Sequence, residues 1–271
     1  MIKTIPVINN KGGVGKTTTT VSLAAGLGKV GNQVLVVDLD SQGSASFALG
    51  LDRDDLDPST ADVLFEEKHP SEVIQSTATE NVDILTGSLR LADMGTVLSS
   101  VEGREKRLAR ALSTIEGQYD AILIDCAPST SLLTVNALVA ADAFVIPVSP
   151  SYLSLEGVVS LGEVVKNVRM SLGEAAPVLG VLLTMVQRDD EETRAIIEEV
   201  RHHYGGKVFD TEVQYDPALE EAPTRGASVF DYAPDSQGAV QYREVVGEML
   251  DRMERYGSVY STVREKKSER T

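Results

Sequence analysis

Short runs of consecutive apolar residues recur along this chain, separated by stretches in which apolar positions return every three or four residues. The runs fall at 5–8, 34–37, 82–85, 121–124, 143–148 and 178–183, with a shorter one at 207–209. Several are continuous rather than alternating, which is the mark of strands covered on both faces. Helical periodicity occupies 18–30, 104–115, 132–140, 155–171, 191–204 and 238–256. This alternation predicts an α/β fold, a mainly parallel β-sheet flanked by helices on both faces. Ligands of such sheets bind at the carboxyl ends of the strands, so the residues just after each run carry the interest. The length suits one domain over 1–256, with a polar C-terminal tail over 257–271 whose last residues, 263–271, are expected to fray.

Composition narrows the class. No apolar run approaches the roughly 20 residues that span a bilayer, and the first run leads straight into a glycine-rich loop rather than a signal-peptide pattern. The single cysteine, Cys126, excludes an internal disulfide and points to a reducing, cytoplasmic setting. Net charge is −16, so the chain as a whole repels nucleic acid and any such binding needs a local basic patch. His69, His202 and His203 show no metal-ligand spacing with the cysteine. Cys126 itself reads as an inert, partly buried thiol.

After the first run comes Lys11-Gly12-Gly13-Val14-Gly15-Lys16-Thr17-Thr18, and after that a helical pattern. Strand, glycine-rich loop and helix form a phosphate cradle. The glycines let backbone N–H groups turn inward, and the helix adds its positive dipole end. Lys16 supplies a cation for the β- and γ-phosphates, and Thr17 a hydroxyl for Mg²⁺. The usual loop opens on a glycine; here that position is Asn10, and a second lysine, Lys11, follows it. Two further runs end in carboxylates. Val36-Val37-Asp38-Leu39-Asp40 places Asp38 and Asp40 on one side of a strand. Ile122-Leu123-Ile124-Asp125 resembles a Walker B element, with Asp125 holding a water on Mg²⁺. Asp38 also fits a purely structural role, capping a helix or ending the strand.

The loop resembles the deviant Walker A box of the ParA/MinD family of P-loop ATPases. Asp38-Leu39-Asp40-Ser41-Gln42-Gly43 and Asp125-Cys126-Ala127-Pro128-Ser129 are similar to that family's next two motifs, with Ser41 and Ala127 in place of prolines. Later segments, among them Leu155-Glu156-Gly157, Glu221-Ala222-Pro223 and Asp235-Ser236-Gln237-Gly238, place the resemblance in the ParA/Soj partition branch. It implies a single ATPase domain that takes ATP and Mg²⁺ and forms an ATP-sandwich homodimer. Lys11 would reach across the interface to the partner's nucleotide, Asp40 would position the hydrolytic water, and Asp38 would help organise the metal shell. Asp125 would sense the γ-phosphate through Mg²⁺. Met185 resembles an adenine contact, though a methionine at a strand end also fits the core. The resemblance further implies slow hydrolysis, stimulated by a ParB-like or cargo-adaptor protein, and non-specific DNA binding by a nucleoid-associated dimer.

The chain departs from the family where DNA phosphates are expected. Gln187-Arg188-Asp189-Asp190 and Tyr215-Asp216-Pro217-Ala218 stand at positions that are often basic. Arg188, Arg225, Arg243, Arg252, Arg255, Arg264, Lys266, Lys267 and Arg270 are the cations left to compensate. Two other readings stay open. A MinD-like membrane-cycling ATPase would need an amphipathic C-terminal helix with apolar anchors, which residues 261–271 lack. The other is an ATP-dependent regulatory protein without DNA binding, although retention of Lys11, Lys16, Asp40 and Asp125 argues against a site that holds ATP and barely turns it over.

Overall fold

In the computed structural model, which describes residues 3–129, 131–173, 175–188 and 191–268 (backbone alone over 152–160 and 257–268), the longer apolar runs form strands. The chain runs β1 (Thr4–Val7), α1 (Lys16–Lys29), β2 (Val34–Leu39), α2 (Ser44–Ala48), α3 (Thr60–Phe65), β3 (Gln75–Ser76) and β4 (Val82–Leu85). It continues through α4 (Met94–Val97), α5 (Arg107–Ser113), β5 (Ala121–Cys126), α6 (Leu132–Ala140), β6 (Phe144–Val148) and α7 (Tyr152–Leu172). It closes with β7 (Val178–Leu183), α8 (Glu191–Tyr204), α9 (Pro217–Thr224), α10 (Val229–Tyr232) and α11 (Gln237–Ser268). Among the described residues no helix is long and apolar enough to cross a membrane.

The sheet has strand order β3-β4-β2-β5-β1-β6-β7 and is parallel except where the two-residue β3 pairs antiparallel with β4. The longer strands feed both of two opposite cores. Leu35, Val37, Ile122, Ile124, Val181 and Leu183 join one core, which packs on α5, α6, α7 and α8. Val34, Val36, Ala121, Leu123, Leu179 and Leu182 join the other, which packs on α1 and α11. Both sides of each strand therefore leave water, which is why the runs are apolar without alternation.

Three local outcomes differ from the periodicity. Residues 207–209 do not form a ladder strand. Gly205–Lys207 is a 3₁₀ turn, and Val208 makes an isolated bridge to Val181. The carbonyls of Leu179, Lys207 and Val208 are taken instead by the guanidinium of Arg252, at 3.1, 2.8 and 2.7 Å. The helix expected from residue 104 begins as a 3₁₀ turn, Arg104–Lys106, and becomes α-helical at Arg107. Asn136 of α6 governs that start, accepting from Leu108 N at 3.1 Å and donating to Arg104 O at 2.9 Å. Finally, α11 continues through Ser268, well into the segment expected to be a polar, frayed tail. Residues 269–271 lie outside the described residues.

Candidate nucleotide site

β1 is central, with β5 on one side and β6 on the other, so the loop that leaves it lies at the switch point of the sheet. Gly15 adopts a left-handed φ of 79° as the residue before α1, a conformation that glycine takes without a steric cost. The last residues of β2, β5 and β7 reach the same end of the sheet. Thr184, just past β7, buttresses the loop from outside by donating its hydroxyl to Val14 O at 3.0 Å.

Inside the loop, Lys16 is buried and its Nζ donates to Lys11 O at 2.6 Å. Burial pulls its ammonium below the usual lysine range, while Asp125, Cys126 and Asp40 act in the opposite direction. Thr17 Oγ1 donates to Asp125 Oδ2 at 2.7 Å, and Thr20 Oγ1 donates to Asp125 Oδ1 at 3.2 Å. The Thr17 hydroxyl and the Asp125 carboxylate are thus two hard oxygen donors side by side at the helix start. That donor set fits Mg²⁺, which usually takes one or two protein oxygens and keeps waters and phosphate oxygens for the rest.

Asp38 and Asp40 differ more than their alternation suggests. Asp38 is fully buried. Its Oδ1 accepts from Asp40 N at 3.0 Å, and its Oδ2 accepts from Ser46 N at 2.9 Å and Ser46 Oγ at 2.8 Å. Ser46 Oγ accepts in turn from Gly87 N at 3.0 Å. Both Asp38 oxygens accept bonds from loop backbone and from α2, as both Asp125 oxygens accept from Thr17 and Thr20, and the bond to its amide lets Asp38 hold Asp40 in place. Gly87 must be small here, because a Cβ would lie 2.5 Å from Asp40 O and 2.8 Å from the Asp38 carboxyl. Asp40 is half-buried, and its Oδ1 accepts from Gln42 N at 2.9 Å.

Asp38 and Asp125 face each other in the β2–β5 register. Burial, the largest cause for both, pushes Asp38 up to about 6 and Asp125 to about 7. For Asp125 the neighbouring Asp38 charge adds to the rise, and the Thr17 and Thr20 hydrogen bonds oppose it. The folded protein therefore binds more protons than the unfolded chain between about pH 4 and pH 7. Stability linked to these groups is present at low pH and is lost as pH rises through that window. Without nucleotide or metal, the thermal midpoint of the wild type should fall more steeply from pH 5 to 8 than that of Asp125→Asn. Equal slopes in the two proteins would rule Asp125 out as the cause.

Beside the loop lies a mainly apolar pocket walled by Gly15, Thr18, Met185, Tyr215, Leu219 and Tyr242. Met185 has a left-handed φ of 53°, uncommon for a residue with a side chain. It lies on the wall of this pocket. Tyr215 is the residue that sequence reasoning missed; it entered that reading only as the loss of a basic position. Its position between Val213 and Asp216 on the loop before α9 brings it to the pocket, and no local pattern marks that. Cys126 is buried with its thiol pushed well up, as expected of an inert cysteine.

The surface cations divide in the same way. Arg188 is bound to Glu212 through two nitrogens at 3.0 and 2.7 Å. Arg243 stacks 5.6 Å from the Phe230 ring centroid and donates to Pro234 O. Arg252, expected among the compensating surface charges, is instead largely enclosed, 4.2 Å over the Phe209 ring with its donors on main-chain carbonyls. Arg255 pairs with Asp251 at 3.8 Å. Asp189, Asp190 and Arg270, and the side chains of Arg264, Lys266 and Lys267, lie outside the described residues.

A glycine-rich loop between strand and helix N-terminus, with a buried lysine and a threonine–aspartate pair at its mouth, defines a phosphate-loop nucleotide-binding protein. A family model described as an AAA domain matches residues 2–176. The sporulation initiation inhibitor protein Soj of Bacillus subtilis is 40% identical over 92% of this chain and 98% of its own length. The chromosome partitioning protein ParA of Caulobacter vibrioides is 34% identical over 93% of this chain and 95% of its own. Among solved structures, cobyrinic acid a,c-diamide synthase from Mycobacterium smegmatis with a bound ATP analogue and magnesium has a TM-score of 0.81 and 31% identity. It covers 95% of this chain and 97% of its own. The chain belongs to the ParA/Soj family of partition ATPases.

Proposed function

We propose that this protein hydrolyses ATP with Mg²⁺ in a homodimer whose two nucleotides lie at the shared interface, and that the ATP-bound dimer positions a cargo on DNA. The observation that carries the reading is the convergence of Lys16, Thr17, Asp40 and Asp125 on one loop that also starts with Lys11. Lys16 and the loop amides bind the β- and γ-phosphates, and the pocket of Met185 and Tyr215 takes the base. Thr17 and Asp125 would hold Mg²⁺, which when bound neutralises charge on the phosphate oxygens. Asp40, held by Asp38, orients the attacking water. Lys11 of each copy reaches the partner's phosphates, so a complete site exists only in the dimer and hydrolysis is slow until a ParB-like or cargo-adaptor protein stimulates it. Phosphoryl transfer depends chiefly on such positioning and charge stabilisation.

The pairing of Arg188 with Glu212, the enclosure of Arg252 and the presence of Tyr215 favour a second reading, an ATP-dependent dimer that docks on something other than DNA. One experiment separates the two: DNA binding with ATP, ADP or no nucleotide across a salt series, with dimerisation followed in the same samples. Nucleoid positioning requires ATP-dependent dimers that hold unrelated DNA with an affinity falling as salt rises. Dimers that ignore DNA even at low salt select the second reading.

A further inference from the structure

We propose that Asn9 is a positioning residue for Lys11, tying the start of the phosphate loop to β6 so that Lys11 leaves the protein at a set point. The inference rests on the reading that Lys11 acts across the dimer interface. Asn9 is completely buried. Its Nδ2 donates to Pro147 O of β6 at 2.8 Å, and its Oδ1 accepts from Lys11 N at 3.0 Å. The main chain has already turned out of the sheet at this point. Ile8 N makes a backbone bond to Val145 O at 3.0 Å, and two positions further along β6 the Asn9 side chain takes the carbonyl of Pro147.

The Lys11 peptide is thereby gripped at both ends, its N–H by Asn9 and its carbonyl by Lys16 Nζ at 2.6 Å. The second grip depends on an ammonium for which phosphate oxygens compete. The first does not, so Asn9 is the anchor that a bound nucleotide leaves intact. Few side chains can replace it. The position needs a donor and an acceptor at the same short reach, which the carboxamide provides and an ionised carboxylate does not. The plain alternative is that Asn9 merely satisfies a buried carbonyl, as buried polar groups generally must.

A double-mutant cycle distinguishes the two. Mg-ADP affinity of the monomer, the dissociation constant of the ATP-dependent dimer and kcat are measured for wild type, Asn9→Ala, Lys11→Ala and the double variant. If Asn9 acts through Lys11, Asn9→Ala weakens the dimer at least tenfold and lowers kcat, leaves Mg-ADP affinity within threefold, and adds less than twofold to the Lys11→Ala defect. Additive losses in the double variant, or an ADP affinity that falls in step with dimerisation, would overturn the inference. Should Asn9→Ala not fold, Asn9→Ser is taken through the same cycle. A defective Lys11→Ala beside an Asn9→Ala that behaves as wild type overturns the inference alone. A Lys11→Ala protein that dimerises and turns over normally overturns the cross-interface reading and the inference with it.

Discussion

An Asp40→Ala protein should bind ATP and remain dimeric while turning it over slower by roughly 10²–10⁴-fold, the usual contribution of a positioned acid or base. Asp40 is placed for this by its surroundings. Its N–H is fixed by Asp38, its carbonyl accepts from Gly43 N at 3.0 Å, and Gly87 packs against the same peptide. Losing its carboxylate leaves Lys16, Thr17 and Asp125 untouched, so the phosphates are still held and only the water loses its guide. The trapped dimer is measured by light scattering with ATP, and turnover by phosphate release. A monomeric Asp40→Ala protein with ATP bound would contradict the scheme, because dimerisation would then depend on the hydrolytic carboxylate.

Lys16→Ala should act one step earlier and lose nucleotide altogether. A buried ammonium bonded to phosphate makes charge-assisted hydrogen bonds, each worth about 1.5–3 kcal/mol. Two of them removed correspond to at least a hundredfold loss in affinity for a non-hydrolysable Mg-ATP analogue by calorimetric titration. The substitution also removes the cation that faces the buried Asp125 charge. The Asp125 carboxyl should therefore rise further, and the variant's stability should fall more steeply from pH 5 to 8 than the wild type's. Binding within threefold of the wild type would mean that the loop amides alone hold the phosphates. Asp40→Ala and Lys16→Ala thus separate hydrolysis from binding.

The phosphate loop was legible because its chemistry is local: Lys11 through Thr18 are contiguous, and their neighbours are a strand and a helix by simple periodicity. Strand positions were legible for a similar reason, since a strand covered on both faces needs a continuous apolar run. Single residues whose partners lie far along the chain were not. Asn9 carries no mark of its bond to Pro147, 138 residues away. Arg252 looks in sequence like any surface arginine of a polar helix, and the β7 edge turns it into an internal brace. Asp38 carries no mark in sequence of the bonds it accepts from Ser46 and the Asp40 amide. The short helices α2, α4, α9 and α10 escaped because four to eight residues are too few to establish a period.

What the sequence by itself determined about this protein is the class of fold and the chemistry of its loop. Both depend on neighbours a few residues apart, where backbone geometry dictates which side chains share a face. Only the tertiary structure decided what bonds each buried carboxylate, which arginines pair or pack against the body, and which residues wall the pocket beside the loop. Those outcomes depend on which strand ends the sheet brings together, and burial then sets the strength of every charge that meets there.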